Sequence, residues 1–200
     1  VRTYTGQLWG AIYDTGNKFY YYNIFEELDC PGEWFLDYDT GMLYVYPSAD
    51  LKGKDVILSS SADGIAELSN CINVVINGIN FEKAGKSAIT MQNCEGVVVQ
   101  NCVIDSCGSN GINIKGNSKY CGVTQCKILN CTGDAFSVSM STDIIKSLTP
   151  QRNFIQNSYV YNCRAVRVHG VGNIASHNVV SNAVGTAMYI NQGCENVYEY

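Results

Sequence analysis

Two carboxyl groups, Asp143 and Glu195, each come just after an alternating apolar segment, and those segments lie two repeats apart. A carboxyl pair is what hydrolysis of a glycosidic bond requires. One group protonates the leaving oxygen and the other acts as base or nucleophile, about 5–5.5 Å apart for retention and about 6.5–9.5 Å for inversion of configuration. If the repeats stack like neighbouring β-strands, two rises of about 4.8 Å put roughly 10 Å between the pair along the stacking axis, which leaves both outcomes open. The same two residues also read as a surface loop acid and a turn acid with no chemistry.

Other polar side chains fall in phase with them. Arg167 and His169 alternate with valines, and Ser137 and Ser139, Asn113 and Lys115, and Thr90 and Gln92 alternate likewise with other apolar residues. Tyr189 and Asn191 continue the pattern. These make two outward polar columns in which Ser139, Lys115, Arg167, His169 and Tyr189 are the substrate-binding candidates. Arg167 suits a hydroxyl or carboxylate, and His169 could relay a proton, although a lone exposed histidine commonly does neither. Asp134 shares its position with Asn110 and Arg164 and reads first as a turn residue. His177 reads as structural, and Asn101 and Asn157 as backbone-bonding turn residues. No metal or cofactor is expected: no CxxC occurs, Cys102 and Cys107 sit at repeat spacing, and no acid cluster offers converging oxygens for calcium.

The elements that must carry these residues follow from a repeat. Sliding the sequence by 23–24 residues superposes 72–91 on 95–114 and that on 119–138. Three apolar ladders result. They run Ile89, Ile112, Phe136, Val166, Met188; then Ile76, Val99, Val123, Ile155, Ala175; then Phe81, Ile104, Ile128, Val160, Val180. Three ladders per repeat predict three short strands per turn, each with one buried and one wet face. Such units bury their apolar faces only by stacking, so the expected fold is all-β, a right-handed parallel β-helix of about five complete turns. The repeat holding Asp143 is longer by about eight residues, which predicts a loop over 141–152 beside the polar columns.

Composition agrees with this and excludes other classes. The 200 residues include 20 Asn and 19 Gly, residues that turn tightly, against only 3 Pro. Hydrophobic residues make up 46% and charged ones 16%, so the chain is not of the disordered type. A net charge of −5 with scattered Lys and Arg leaves no footprint for nucleic acid, and no apolar run is long enough to span a bilayer. Eight of the 10 cysteines fall on repeat columns: Cys71/Cys94, Cys102/Cys126, Cys107/Cys131/Cys163, and Cys121 opposite Val74 and Val97. They read as small apolar fillers, and cysteine usage therefore gives no support to an oxidising compartment.

Residues 1–66 do not repeat and are expected as a β-hairpin-containing segment packed on the solenoid of 67–200. Its strands are expected at 33–37 and 42–47. Phe19, Tyr20, Tyr21 and Tyr22 with Trp9 and Trp34 read either as packing or as a sugar-stacking platform. The chain opens at Val1 without a leader pattern, and residues 195–200 begin a sixth turn, so the expectation is a piece of a longer chain.

The stretch Phe25-Glu26-Glu27-Leu28-Asp29-Cys30-Pro31-Gly32-Glu33-Trp34-Phe35-Leu36-Asp37, followed by Thr40-Gly41-Met42-Leu43-Tyr44-Val45-Tyr46-Pro47, resembles a segment of bacterial right-handed parallel β-helix proteins. Some of these are glycoside hydrolases of the fucosidase and xylanase kind, grouped as family 141. The resemblance extends over about 19–200. It places Asp143, in Ser141-Thr142-Asp143, at one acidic loop of the family and Glu195, in Gly193-Cys194-Glu195, at another. Gly185 stands where such proteins carry histidine, and Ile144 where they carry arginine.

What the resemblance implies is a carbohydrate-active protein, foremost a glycoside hydrolase acting on polysaccharide, secreted or at the cell surface. A pectate-lyase-type polysaccharide lyase, with Arg167, Lys115 or His169 as base, and a non-catalytic glycan-binding or structural solenoid remain alternatives. The expected partner in each enzyme reading is a polysaccharide, with no nucleic acid and no membrane.

Overall fold

The computed structural model describes residues 22–59, 61 and 63–199, without the side chain of Asn191. The chain divides into two compact units at Ile57 and Leu58. In the first, a 3-10 turn at Phe25–Glu27 precedes strands β1 (Trp34–Leu36) and β2 (Leu43–Val45), which pair antiparallel with Phe35 opposite Tyr44. The turn between them is closed by Asp37, whose Oδ1 accepts the Asp39 amide at 2.9 Å and whose Oδ2 accepts the Thr40 hydroxyl at 2.7 Å. Those bonds favour the ionised form and lower the Asp37 pKa. Phe25 packs edge-on to Phe35 and Tyr44, with ring centroids 5.3 and 5.2 Å away. Trp9, Phe19, Tyr20 and Tyr21 lie outside the described residues.

The second unit is a parallel β-solenoid. Sheet I comprises β3 (Ala66–Ser69), β6 (Ile89–Gln92), β9 (Ile112–Gly116), β12 (Phe136–Met140), β15 (Val166–Val171) and β18 (Met188–Cys194). Sheet II comprises β4 (Val75–Asn77), β7 (Val98–Gln100), β10 (Gly122–Thr124), β13 (Phe154–Gln156), β16 (Ile174–Ser176) and β19 (Val197–Glu199). Sheet III comprises β5 (Asn80–Glu82), β8 (Val103–Asp105), β11 (Lys127–Leu129), β14 (Tyr159–Tyr161) and β17 (Val179–Ser181). The chain passes through the sheets in that order, completes five turns and begins a sixth. All three apolar ladders expected from the repeat are register columns, as in Ile112 between Ile89 and Phe136. The core is built on these columns and the seven buried cysteines, with Ile89, Ile104, Ile112, Val123, Ile128 and Phe136 fully buried.

The asparagines explain how the chain turns. Asn70 and Asn93 sit at one corner, Asn101 and Asn157 at a second, and Asn130, Asn162 and Asn182 at a third, all with φ between 50° and 54°. This left-handed conformation costs most residues energy and is easiest for Gly and Asn. His177, read from the sequence as structural, occupies the same corner position as Asn157, with φ 54°. Asn101 does not bond backbone as expected; its Nδ2 donates to Asn77 Oδ1 at 2.8 Å. Asn162 and Asn182 likewise donate down their column to Asn130 and Asn162, at 3.0 and 3.3 Å.

A second polar ladder runs inside. Asn153 and Asn173 are fully buried, and each Oδ1 accepts a backbone amide from the preceding turn, Cys121 N–H and Asn153 N–H, both at 3.0 Å. Asn196 does the same for Asn173 at 2.9 Å. Cysteines and serines share these columns because the position accepts only small or backbone-bonding side chains: Ser118 Oγ accepts Cys94 N–H and Ser158 Oγ accepts Cys126 N–H. All 10 cysteines are unbonded thiols. Burial in this core pushes the Cys126 thiol up to about 11.

Candidate functional site

Sheet I is polar on its outer face at every described rung. One column reads Glu67, Thr90, Asn113, Ser137, Arg167, Tyr189 in continuous register. A second reads Ser69, Gln92, Lys115, Ser139. Outer positions of the other sheets carry apolar side chains at most rungs, including Val75, Val98, Phe154, Ile174 and Val197 on sheet II and Val103, Leu129, Tyr159 and Val179 on sheet III. Phe154 takes its place because Gly122, one rung below, has no Cβ to obstruct the ring.

The second column departs from expectation at His169. Pairing between β12 and β15 ends at Ser137 and Arg167, and the β15 to β18 pairing is irregular between Val168 and Gly170. Gly170 has φ of 130° and Gly193, beside it, 113°, conformations that side chains resist, and a Cβ on Gly193 would collide with the Gly170 carbonyl. His169 therefore leaves the register of Ser139. Its Nε2 is sealed from solvent without a partner among the described residues. Burial, followed by the charge of Arg167, lowers its pKa and holds the ring neutral.

Asp134, which sequence reasoning placed in a turn, is the buried charge of this face, 1% exposed. Its Oδ1 accepts Arg164 Nε at 2.8 Å, and its Oδ2 lies 2.9 Å from Arg167 Nε. Arg167 also donates to Ser137 Oγ, from Nη2 at 2.8 Å and from Nε at 3.2 Å. The carboxylate raises the pKa of Arg164. The network continues along the sheet edge: Asp134 N–H donates to Asn110 Oδ1 at 2.8 Å, Asn110 Nδ2 to Asn113 Oδ1 at 2.6 Å, and Asn113 Nδ2 to Ser87 Oγ at 2.7 Å. The repeat alignment had already stacked Asn110, Asp134 and Arg164; an acid and a base one rung apart was the signal of a pair.

Asp143 and Glu195 both lie at the corner between sheets I and II. The insertion after β12 is not an open loop throughout. It forms a short helix, α1 (Thr142–Ser147), with Asp143 in its first turn and left-handed Leu148 ending it. Ile144 packs against the core, which fixes the helix to the solenoid and gives an apolar residue its place there. Glu195 occupies the left-handed corner position shared in register by Gly172, with φ of 56°. Both carboxylates are exposed and accept no hydrogen bond from the described residues. The turn of Gly172 lies between their turns, so stacking alone separates them by roughly 10 Å along the axis.

Toward the other end of sheet I, an open depression of about 520 Å³ is lined by Glu67, Lys86, Thr90, Gln92, Asn113 and Lys115 among others. Lys115 is thereby joined to the early turns, whereas Arg167 and Tyr189 are register neighbours in the late ones. Asp29, Cys30 and Glu33 also cluster, but Glu33 Oε2 is occupied by the Asp29 and Cys30 amides, at 3.0 and 2.8 Å, as a turn closure.

Comparison with known proteins matches residues 41–199 to the family described as "Right handed beta helix region". No curated protein and no solved structure matches the chain.

Proposed function

This chain belongs to the right-handed β-helix family, and from that premise we propose that it is a carbohydrate-active protein that seats a glycan chain along the outer face of sheet I. The observation that carries the reading is the unbroken polarity of that face across six rungs, against the apolar mixture on the other two sheets. Sugars are bound by arrays of hydrogen-bonding groups with an occasional aromatic ring. Thr90, Lys115 and Ser139 supply the donors and acceptors, Arg167 a fixed cation, and exposed Tyr189 a ring. His169, its pKa lowered by burial and by the charge of Arg167, is neutral at pH 7 and takes up a proton only below the ordinary imidazole range.

Hydrolysis is the reaction we assign to the face, with Asp143 and Glu195 as its carboxyl pair. Support comes from their shared corner and from a stacking separation of roughly 10 Å, just beyond the inverting range of about 6.5–9.5 Å. One of them must become less solvated when substrate covers it, which would raise its pKa and let it donate the proton. A screen of polysaccharides, including fucosylated glycans, xylan and pectin, tests both parts. Loss of two to four orders of magnitude in rate is expected for Asp143→Ala and for Glu195→Ala with binding retained. Full activity in both variants would discard the pair and leave a binding protein.

A further inference from the structure

Arg164 and Arg167 reach the same buried carboxylate from successive sides, and one arginine would suffice to neutralise it. The second leaves a surplus positive charge on a protein whose net charge is −5. Arg164 is oriented by its Nε–H, donated to Asp134 Oδ1 at 2.8 Å, whereas Arg167 Nε lies 2.9 Å from Oδ2 as an ion pair and its N–H is directed at Ser137 Oγ, 3.2 Å away. Ser137 Oγ takes Nη2 of Arg167 at 2.8 Å. Both Nη groups of Arg164 and Nη1 of Arg167 donate to nothing among the described residues. Arg164 keeps 55% of its side chain exposed and Arg167 27%, so these free edges face outward from a buried anchor. Asp134 Oδ2 meanwhile receives no aligned hydrogen bond, so Arg167 is held by its ion pair with the carboxylate and by Ser137 Oγ together.

Resting on the reading of sheet I as a glycan-binding face, we propose that Arg164 and Arg167, tethered to Asp134, form a paired-guanidinium clamp for an acidic group carried by the glycan, a carboxylate or a sulfate ester. Guanidinium edges match the paired oxygens of such groups and bind them with charge-assisted hydrogen bonds. Holding both cations in place in advance removes much of the ordering cost that long side chains carry. Tyr189, in register with Arg167, would lie under the ring bearing the acid.

The test measures binding of a galacturonate oligomer, the same oligomer with its carboxyls reduced to neutral alcohols, dextran sulfate and dextran, by calorimetry at two salt concentrations. Variants are Arg164→Gln, Arg164→Lys, Arg167→Gln and Asp134→Asn, with circular dichroism to verify folding. Expected is at least tenfold tighter binding of one acidic ligand over its neutral partner, a preference removed by either glutamine and only partly kept by Arg164→Lys. Which acidic ligand is preferred distinguishes carboxylate from sulfate. Arg164→Gln alone keeps the test decisive should Asp134→Asn unfold. Equal binding of acidic and neutral ligands, unchanged in the arginine variants, overturns the clamp and leaves the glycan face standing. Binding of none of the four, nor of any neutral polysaccharide in the screen above, removes both.

Discussion

Asn153→Ala tests the inner polar ladder that fixes the turns of the solenoid. In the native protein Asn153 Oδ1 accepts Cys121 N–H at 3.0 Å and Nδ2 donates to Ser118 C=O at 3.0 Å, both within a fully buried site. Alanine removes both partners and leaves two buried backbone groups unsatisfied, at about 1–3 kcal/mol each, so the expected loss is about 2–6 kcal/mol. Typical domains have only about 5–15 kcal/mol in total. At a urea slope of about 2 kcal/mol/M, a loss of about 4 kcal/mol moves the unfolding midpoint down by about 2 M. Asn182→Ala is the control: it removes an exposed 3.3 Å bond at a corner and is expected to cost about 1 kcal/mol. Urea unfolding followed by circular dichroism gives both numbers, and hydrogen exchange reports the Cys121 amide directly. Equal midpoints for the two variants, or an unchanged Cys121 amide, would refute the reasoning.

The pH dependence has two signs. His169 has a lowered pKa, so the folded state binds fewer protons than the unfolded one, and stability should fall as pH drops below about 6.5, the ordinary imidazole value. His169→Gln should flatten that part of a Tm-against-pH curve. Tyr198, whose hydroxyl reaches the carbonyls of Tyr189 at 2.9 Å and Val166 at 3.1 Å, is pushed up to about 12 by burial. Its contribution is complete below pH 10 and lost as pH rises through 12, and Tyr198→Phe should remove that loss. Gly193→Ala should be strongly destabilising, because the new Cβ meets the Gly170 carbonyl in a conformation already unfavourable for alanine. A thiol reagent should count 10 cysteines after denaturation without reductant.

The apolar columns were legible in the sequence because parallel stacking puts identical positions in register, so a shift of the sequence on itself reproduces the pairing of Ile112 with Ile89 and Phe136. The outer polar column from Thr90 to Tyr189 followed from alternation alone. His169 did not, since a bulge set by two glycines on neighbouring strands breaks the period that alternation assumes. Asp134 was assigned correctly to its column and to the turn before the strand, but its burial was not foreseen. Its burial depends on two long arginine side chains folding over it from the next turn; the repeat alignment signals the pairing with Arg164, but not the burial or the approach of Arg167. The helix after β12 was hidden for a similar reason: six residues are too few for a helical period, and packing of Ile144 fixes it.

The central claim is that glycan lies on the outer face of sheet I. The most direct measurement is amide chemical-shift mapping of the 200-residue chain titrated with an oligosaccharide that the binding screen selects. Perturbations confined to 90–92, 113–115, 137–139, 167–169 and 189–191 are the predicted result. Shifts concentrated instead on Val103, Leu129, Tyr159 and Tyr161 of sheet III, or on the outer residues of sheet II, would contradict the account.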